Sequence, residues 1–248
     1  MDSINEKLQE LYSNNKSNMD AIFNSDKNID GPHLIYCWDE SYCAARKKIL
    51  FIGKEQSGGL FRDYYGEKIG DNLLEASIEN YKSIIKRNVA KPSTPIWRKM
   101  VDFNKTINGV IDSPNPCFLW SNVSKYCTLS LNEDEKFAPI SWEDHCFTVT
   151  HMNILAQEIE ICKPDIVIFY SGTKHYDDRI CIQLDDEKNN FDKKLQFEPV
   201  TDDINSRELA RLIHPILPHN SFRTWHPGSI NRGKTDYNDF ILATIGNS

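Results

Sequence analysis

A three-layer α/β fold, with a central, mainly parallel four-stranded sheet flanked by helices, is what this sequence predicts. Three observations predict it. Short continuous apolar runs recur along the chain, each ending in a polar or glycine-bearing segment. Stretches with helical apolar spacing lie between them, and neither internal repeats nor a linker divides the whole. Apolar runs of this kind read as strands buried on both faces, as parallel sheets require. Their alternation with helices argues for one α/β domain across residues 1–248.

The elements follow in order. Ile4, Leu8, Leu11 and Tyr12 share one face of an opening helix, and a looser segment rich in Asn, Asp, Ser and Lys runs from Ser13 to Gly31. Residues 1–45 are expected to form a helical extension. Ile49-Leu50-Phe51-Ile52-Gly53 is the first strand. Helices are expected from Leu73 to Ile85 and from Thr94 to Ile111, the second with Pro95 in its first turn and Ile96, Met100, Phe103 and Ile107 as a core stripe. Cys117-Phe118-Leu119-Trp120 is the second strand, ending at Ser121-Asn122, and a helix from Met152 to Ile161 closes at Pro164. Asp165 to Gly172 forms the third strand. Ile180 to Leu184 and Leu195 to Phe197 are expected to pair as a hairpin inside an insertion spanning 175–204, and Ser206 to Ile213 reads as a short helix. Ser221-Phe222-Arg223 begins the fourth strand, and Tyr237, Phe240, Ile241 and Ile245 mark a closing helix.

Bulk properties exclude several classes of function. With 40% hydrophobic and 26% charged residues, the composition is that of a soluble globular protein. A net charge of −7 means that any nucleic-acid contact must come from a few placed side chains rather than an overall basic field. No apolar run is long enough to span a membrane, and the N-terminus lacks the layout of a signal peptide. Seven irregularly spaced cysteines fit reduced thiols, so a cytoplasmic protein is expected. It is expected to be a monomer.

In an open parallel sheet, ligands bind beyond the carboxyl ends of the strands. Here those ends carry Gly53-Lys54-Glu55-Gln56-Ser57-Gly58-Gly59, Ser121-Asn122-Val123-Ser124-Lys125, Ser171-Gly172-Thr173-Lys174 and His226-Pro227-Gly228. A common strand direction therefore brings Glu55, Asn122 and His226 to one crevice. The glycine spacing does not match a phosphate-binding P-loop. Thr224-Trp225-His226-Pro227-Gly228-Ser229-Ile230-Asn231-Arg232-Gly233 holds an imidazole on a stiff turn, with an apolar wedge and an arginine close behind.

Four segments, in order, resemble the uracil-DNA glycosylase superfamily. Ile49 to Glu55 is similar to its first motif, a buried strand followed by glycine and an acid. Leu119-Trp120-Ser121-Asn122-Val123-Ser124-Lys125-Tyr126-Cys127 resembles the Thr-Asn-Val-Val-Lys-Cys stretch of the thermophile-type branch. Leu155 to Ile168 resembles the helix, Lys-Pro turn and strand that follow, and Thr224 to Ile230 resembles the His-Pro-Ser motif. Together they span about residues 48–234. Three departures stand out: Gln56 and Ser57 replace the usual proline, Gly228 replaces the serine, and Cys37 and Cys43 lack the spacing of the branch's iron–sulfur ligands.

The resemblance implies a monofunctional DNA glycosylase that needs no metal or cofactor and acts on DNA containing uracil or a modified base. Glu55 would orient water and stabilise the sugar cation, and His226 would donate to the departing base. Gly53, Gln56, Phe61 (or Tyr64) and Asn122 would hold the base, while Lys125, Ser171, Ile230 and Arg232 would contact DNA. Two alternatives stay open. One is a protein of the same fold that binds DNA or a damaged base without cleaving, and the other is an unrelated α/β enzyme acting on a small nucleotide or phosphate ester.

Overall fold

The computed structural model describes residues 3–25, 27–55, 72–109, 115–129, 137–172, 176–184 and 194–246. Helix α1 (Ile4–Asn14) starts on a capping box, in which Ser3 Oγ accepts the Glu6 N–H at 3.1 Å and the Glu6 carboxylate accepts the Ser3 N–H at 2.6 Å. Its apolar face buries Leu8, Leu11 and Tyr12, as the spacing predicts. The polar segment after it is not loose. It forms α2 (Lys16–Phe23), because Met19, Ile22 and Phe23 supply a buried face despite the polar composition around them.

Strand β1 (Ile29–Asp30), helix α3 (Asp39–Cys43) and strand β2 (Ile49–Glu55) follow. Next come α4 (Leu73–Ala90), α5 (Pro95–Asn108) and β3 (Phe118–Ser124). Strands β4 (Cys127–Leu129) and β5 (Phe137–Ala138) pair with β1 as a small antiparallel sheet. Helices α6 (Trp142–His151) and α7 (Leu155–Cys162) lead to β6 (Ile166–Phe169). Beyond it lie α8 (Asp177–Leu184), β7 (Gln196–Pro199), β8 (Leu209–Ile213), β9 (Asn220–Thr224) and α9 (Asn238–Gly246).

Among the described residues, the main sheet has six strands in the order β3-β2-β6-β9-β8-β7. β3, β2, β6 and β9 are mutually parallel and coincide with the four expected apolar runs. β8 and β7 extend that sheet antiparallel at one edge, so the expected count of four is too low. Two local expectations fail for the same reason. Residues 209–213 pair with β9 as a strand instead of forming a helix, and 177–184 form a helix instead of one arm of a hairpin. Short apolar runs do not distinguish helix from strand until a partner exists. The partner of 196–199 is β8, so this part of the expected insertion belongs to the central sheet.

Rings on one face of the sheet, Phe51, Phe118 and Tyr170, pack together and against Phe103 of α5. On that side Tyr170 also donates to Asn238 of α9. The opposite face meets α1, α7 and α8 through Tyr12, Glu158 and Gln183. Layering follows from sequence parity, since alternate residues of a strand point to opposite faces. In chain order the parallel strands run β2, β3, β6, β9, yet in space β2 lies between β3 and β6. The connections therefore reverse direction beside the C-terminal end of β2, which is where open α/β sheets form their ligand crevice.

Candidate active site at the carboxyl edge of the sheet

Register places the candidate residues. Gly53 pairs with Asn122 and Glu55 with Ser124, so the first motif and the asparagine are direct neighbours. Gly172 N–H donates to the Thr224 carbonyl at 3.0 Å, extending the β6–β9 pairing to the mouth of the His226 turn. The C-terminal ends of β2 and β9 are two strand spacings apart, roughly 10 Å. Gly172 itself has φ +74°, a left-handed conformation suited to glycine, and it packs close to the Trp225 ring and the Lys54 side chain.

Asn122 is 1% exposed, and neither its Oδ1 nor its Nδ2 has a hydrogen-bond partner. An unpaired buried amide normally costs on the order of 1–3 kcal/mol per group. Gly53 makes the amide's position possible, because a Cβ there would stand 2.5 Å from Asn122 Oδ1. Gly53 thus leaves the room that the Asn122 side chain occupies.

His226 is held by its own turn. Pro227–Arg232 forms a 3-10 helix whose first residue is preceded by His226, and the imidazole Nδ1 accepts the Gly228 N–H at 3.0 Å. Nδ1 being an acceptor, the proton of the neutral ring sits on Nε2, which is left as the ring's donor. Burial, then the positive charges of Lys54 and Arg232, lower its pKa to about 4. The ring is therefore neutral at physiological pH. Glycine at 228 lets the turn close on the ring, since a Cβ there would press to 3.1 Å from Nδ1. Ile230 is half-buried on the same turn, and Arg232 is exposed with its guanidinium 3.3 Å from Ser229 Oγ.

Glu55 ends β2 with its carboxylate accepting the Tyr176 hydroxyl. Burial first, and then the Glu55 charge, push the Tyr176 hydroxyl well above its usual range. Tyr176 stays protonated and holds the acid in place. Lys54 lies between the two catalytic candidates. Its ammonium is 5.1 Å above the Tyr176 ring, and burial lowers its pKa while Glu55 raises it and Arg232 lowers it.

No protein-family model matches this chain, and no curated protein matches it either.

The site rests on its residues. Lys54 and Tyr176 belong to it although neither was singled out from sequence. Lys54 carried a signal in being adjacent to Glu55 at the strand end. Tyr176 carried none, because it lies in the segment read as an insertion. Two expected DNA contacts are corrected. Lys125 is 3% exposed and its ammonium binds Glu158 and the Ser121 hydroxyl in the core, so it has no phosphate to reach. Ser171 is fully buried, with its hydroxyl on the Gly172 carbonyl at 3.3 Å. Gln56 and Phe61, expected against the base, lie outside the described residues. Among those described, no helix is long and apolar enough to cross a membrane.

Proposed function

We propose that this protein is a DNA glycosylase that hydrolyses the N-glycosidic bond of uracil or a related modified base after flipping it from the stack. One observation carries the reading. A fully buried amide, Asn122, offers an unpaired donor and an unpaired acceptor at the edge of the sheet where His226 and Glu55 also end. Asparagine in that state suits bidentate reading of a base edge.

The chemistry follows from the neighbours. Extruding a nucleotide costs about a few kcal/mol, and Ile230 on the His226 turn is the wedge that fills the vacated space. Arg232, exposed on the same turn, meets a flanking phosphate. Cleavage of the C1′–N bond leaves positive charge on the sugar and negative charge on the base. Glu55, oriented by Tyr176, stabilises the sugar cation and aligns water, by analogy with other glycoside cleavages. His226 Nε2–H donates to the base oxygen that gathers charge, and Lys54 adds a favourable field beside it.

A second reading, the same fold binding a base without cleaving it, is favoured by Gln56 and Ser57 in the first motif and by the net charge of −7. An abasic-site cleavage assay on uracil-, hypoxanthine- and hydroxymethyl-modified oligonucleotides separates the two. Strand nicking at the modified base is expected, falling about 100-fold or more in Glu55→Gln and in His226→Gln. Tight binding with no nicking by the unaltered protein would establish the second reading instead.

A further inference from the structure

A further unpaired donor stands beside the Asn122 amide. Trp120 lies two residues before Asn122 on β3, on the same face, and its indole Nε1 is also buried without a partner. The two groups flank one point. A Cβ on Gly53 would stand 2.5 Å from Asn122 Oδ1 and 3.3 Å from Trp120 Nε1, yet the pair do not bond each other. The indole is not free to turn away. It packs edge-on against His33 with centroids 4.4 Å apart, and against Trp97 at 5.0 Å. It also stacks on Tyr81 at 6.4 Å, and the Tyr81 hydroxyl accepts the Trp120 main-chain N–H at 3.1 Å.

Together, Trp120 Nε1–H, Asn122 Oδ1 and Asn122 Nδ2–H supply two unpaired donors and one unpaired acceptor, with the indole N–H and the amide oxygen both beside Gly53. The geometry points to Trp120 as a specificity-determining residue whose N–H reads a second carbonyl of the flipped base, so that the site selects an acceptor–donor–acceptor edge. This inference rests on the excision reading of the same site. Uracil and its 5-substituted derivatives carry that edge as O2, N3–H and O4. Hypoxanthine has only a C–H where O2 would stand, and cytosine presents acceptor, acceptor and donor. An indole N–H donates only and has no alternative protonation, so a base lacking the matching acceptor leaves it buried and unpaired. Sites built on such groups reject the wrong ligand more strongly than apolar pockets do.

The test measures binding, so it does not depend on turnover. Single-stranded oligonucleotides carry one uracil, hypoxanthine or cytosine nucleotide with a 2′-fluoroarabino sugar that resists hydrolysis, and fluorescence anisotropy gives each affinity. The protein is expected to prefer uracil. Trp120→Phe, which keeps a ring and removes the N–H, is expected to reduce the uracil-over-hypoxanthine ratio about tenfold, the weight of one hydrogen bond to a buried donor. Asn122→Ala is expected to weaken both together and leave that ratio within about twofold. Using a ratio within one preparation cancels any loss of folded protein. An unchanged ratio in Trp120→Phe, or a preference of the unaltered protein for cytosine, overturns the inference while leaving base excision standing. If no base is preferred and Asn122→Ala changes nothing, the excision reading falls with it.

Discussion

At His226, the deciding fact is which nitrogen carries the proton. The Gly228 N–H occupies Nδ1, so a neutral ring donates from Nε2, and a charged ring would need to give up the turn's hydrogen bond. Burial and the cations Lys54 and Arg232 both oppose that charge and hold the pKa at about 4, below the ordinary 6.5 of an unfolded chain. The sign for stability follows. Between pH 6.5 and about 4 the unfolded chain binds the proton and the folded chain does not, so stability falls as pH is lowered through that window. Above 6.5 both states are neutral and the contribution is complete. The midpoint of thermal unfolding is therefore expected to drop less between pH 6.5 and 4 in His226→Gln than in the unaltered protein. Excision is expected to show no His226 titration from pH 6 to 8, and an inflection near 6.5 in the rate profile would contradict a neutral donor.

At the scale of the element, β2 does two jobs with adjacent residues. Its apolar half, Ile49 to Ile52, is fully buried and pairs on both sides, which fixes the strand at the centre of the sheet. Its last three residues belong to the candidate site. Gly53 clears space, Lys54 faces the His226 turn and Glu55 meets Tyr176. Adding one methyl tests the arrangement, because Gly53→Ala puts a Cβ into the Asn122 amide. The expected cost is about 1–3 kcal/mol of stability, typical of overpacking. Loss of uracil binding should match that of Asn122→Ala, measured by the same anisotropy titration. Retained binding in a folded Gly53→Ala protein would show that the amide has room to move.

Across the whole molecule, a buried polar network ties the N-terminal region to the sheet. Glu158 of α7 accepts from Tyr12 of α1 at 2.9 Å and from Ser121 of β3 at 3.1 Å, and its charge is met by Lys125. The Tyr12 hydroxyl also accepts the Ile35 N–H at 3.1 Å. The N-terminal helix is therefore part of the core, not an appendage, and Lys125 serves the fold. Burial lowers the Lys125 pKa while Glu158 raises it. Removing one partner leaves a charge without compensation in the interior. Lys125→Met is expected to cost about 3–5 kcal/mol, with part of it recovered in Lys125→Met/Glu158→Leu, as urea denaturation would show. If the double variant is no more stable than the single one, the ion pair is not the source of the loss.

Read alone, the chain determined its four parallel strands, whose carboxyl ends carry Glu55, Asn122 and His226, because central strands write their burial on both faces into continuous apolar runs. Local turn chemistry was equally plain at His226-Pro227-Gly228, where the capping and the ring position depend on residues two apart. Tertiary structure alone decided the rest. Residues 177–184 and 209–213 are short apolar segments whose form depends on whether a helix surface or a sheet edge receives them. Tyr176 reaches Glu55 across 121 residues of sequence, and Lys125 is drawn inward by a carboxylate 33 residues away. Which partner meets a charge is settled by packing between distant elements, and composition near that charge carries no record of it.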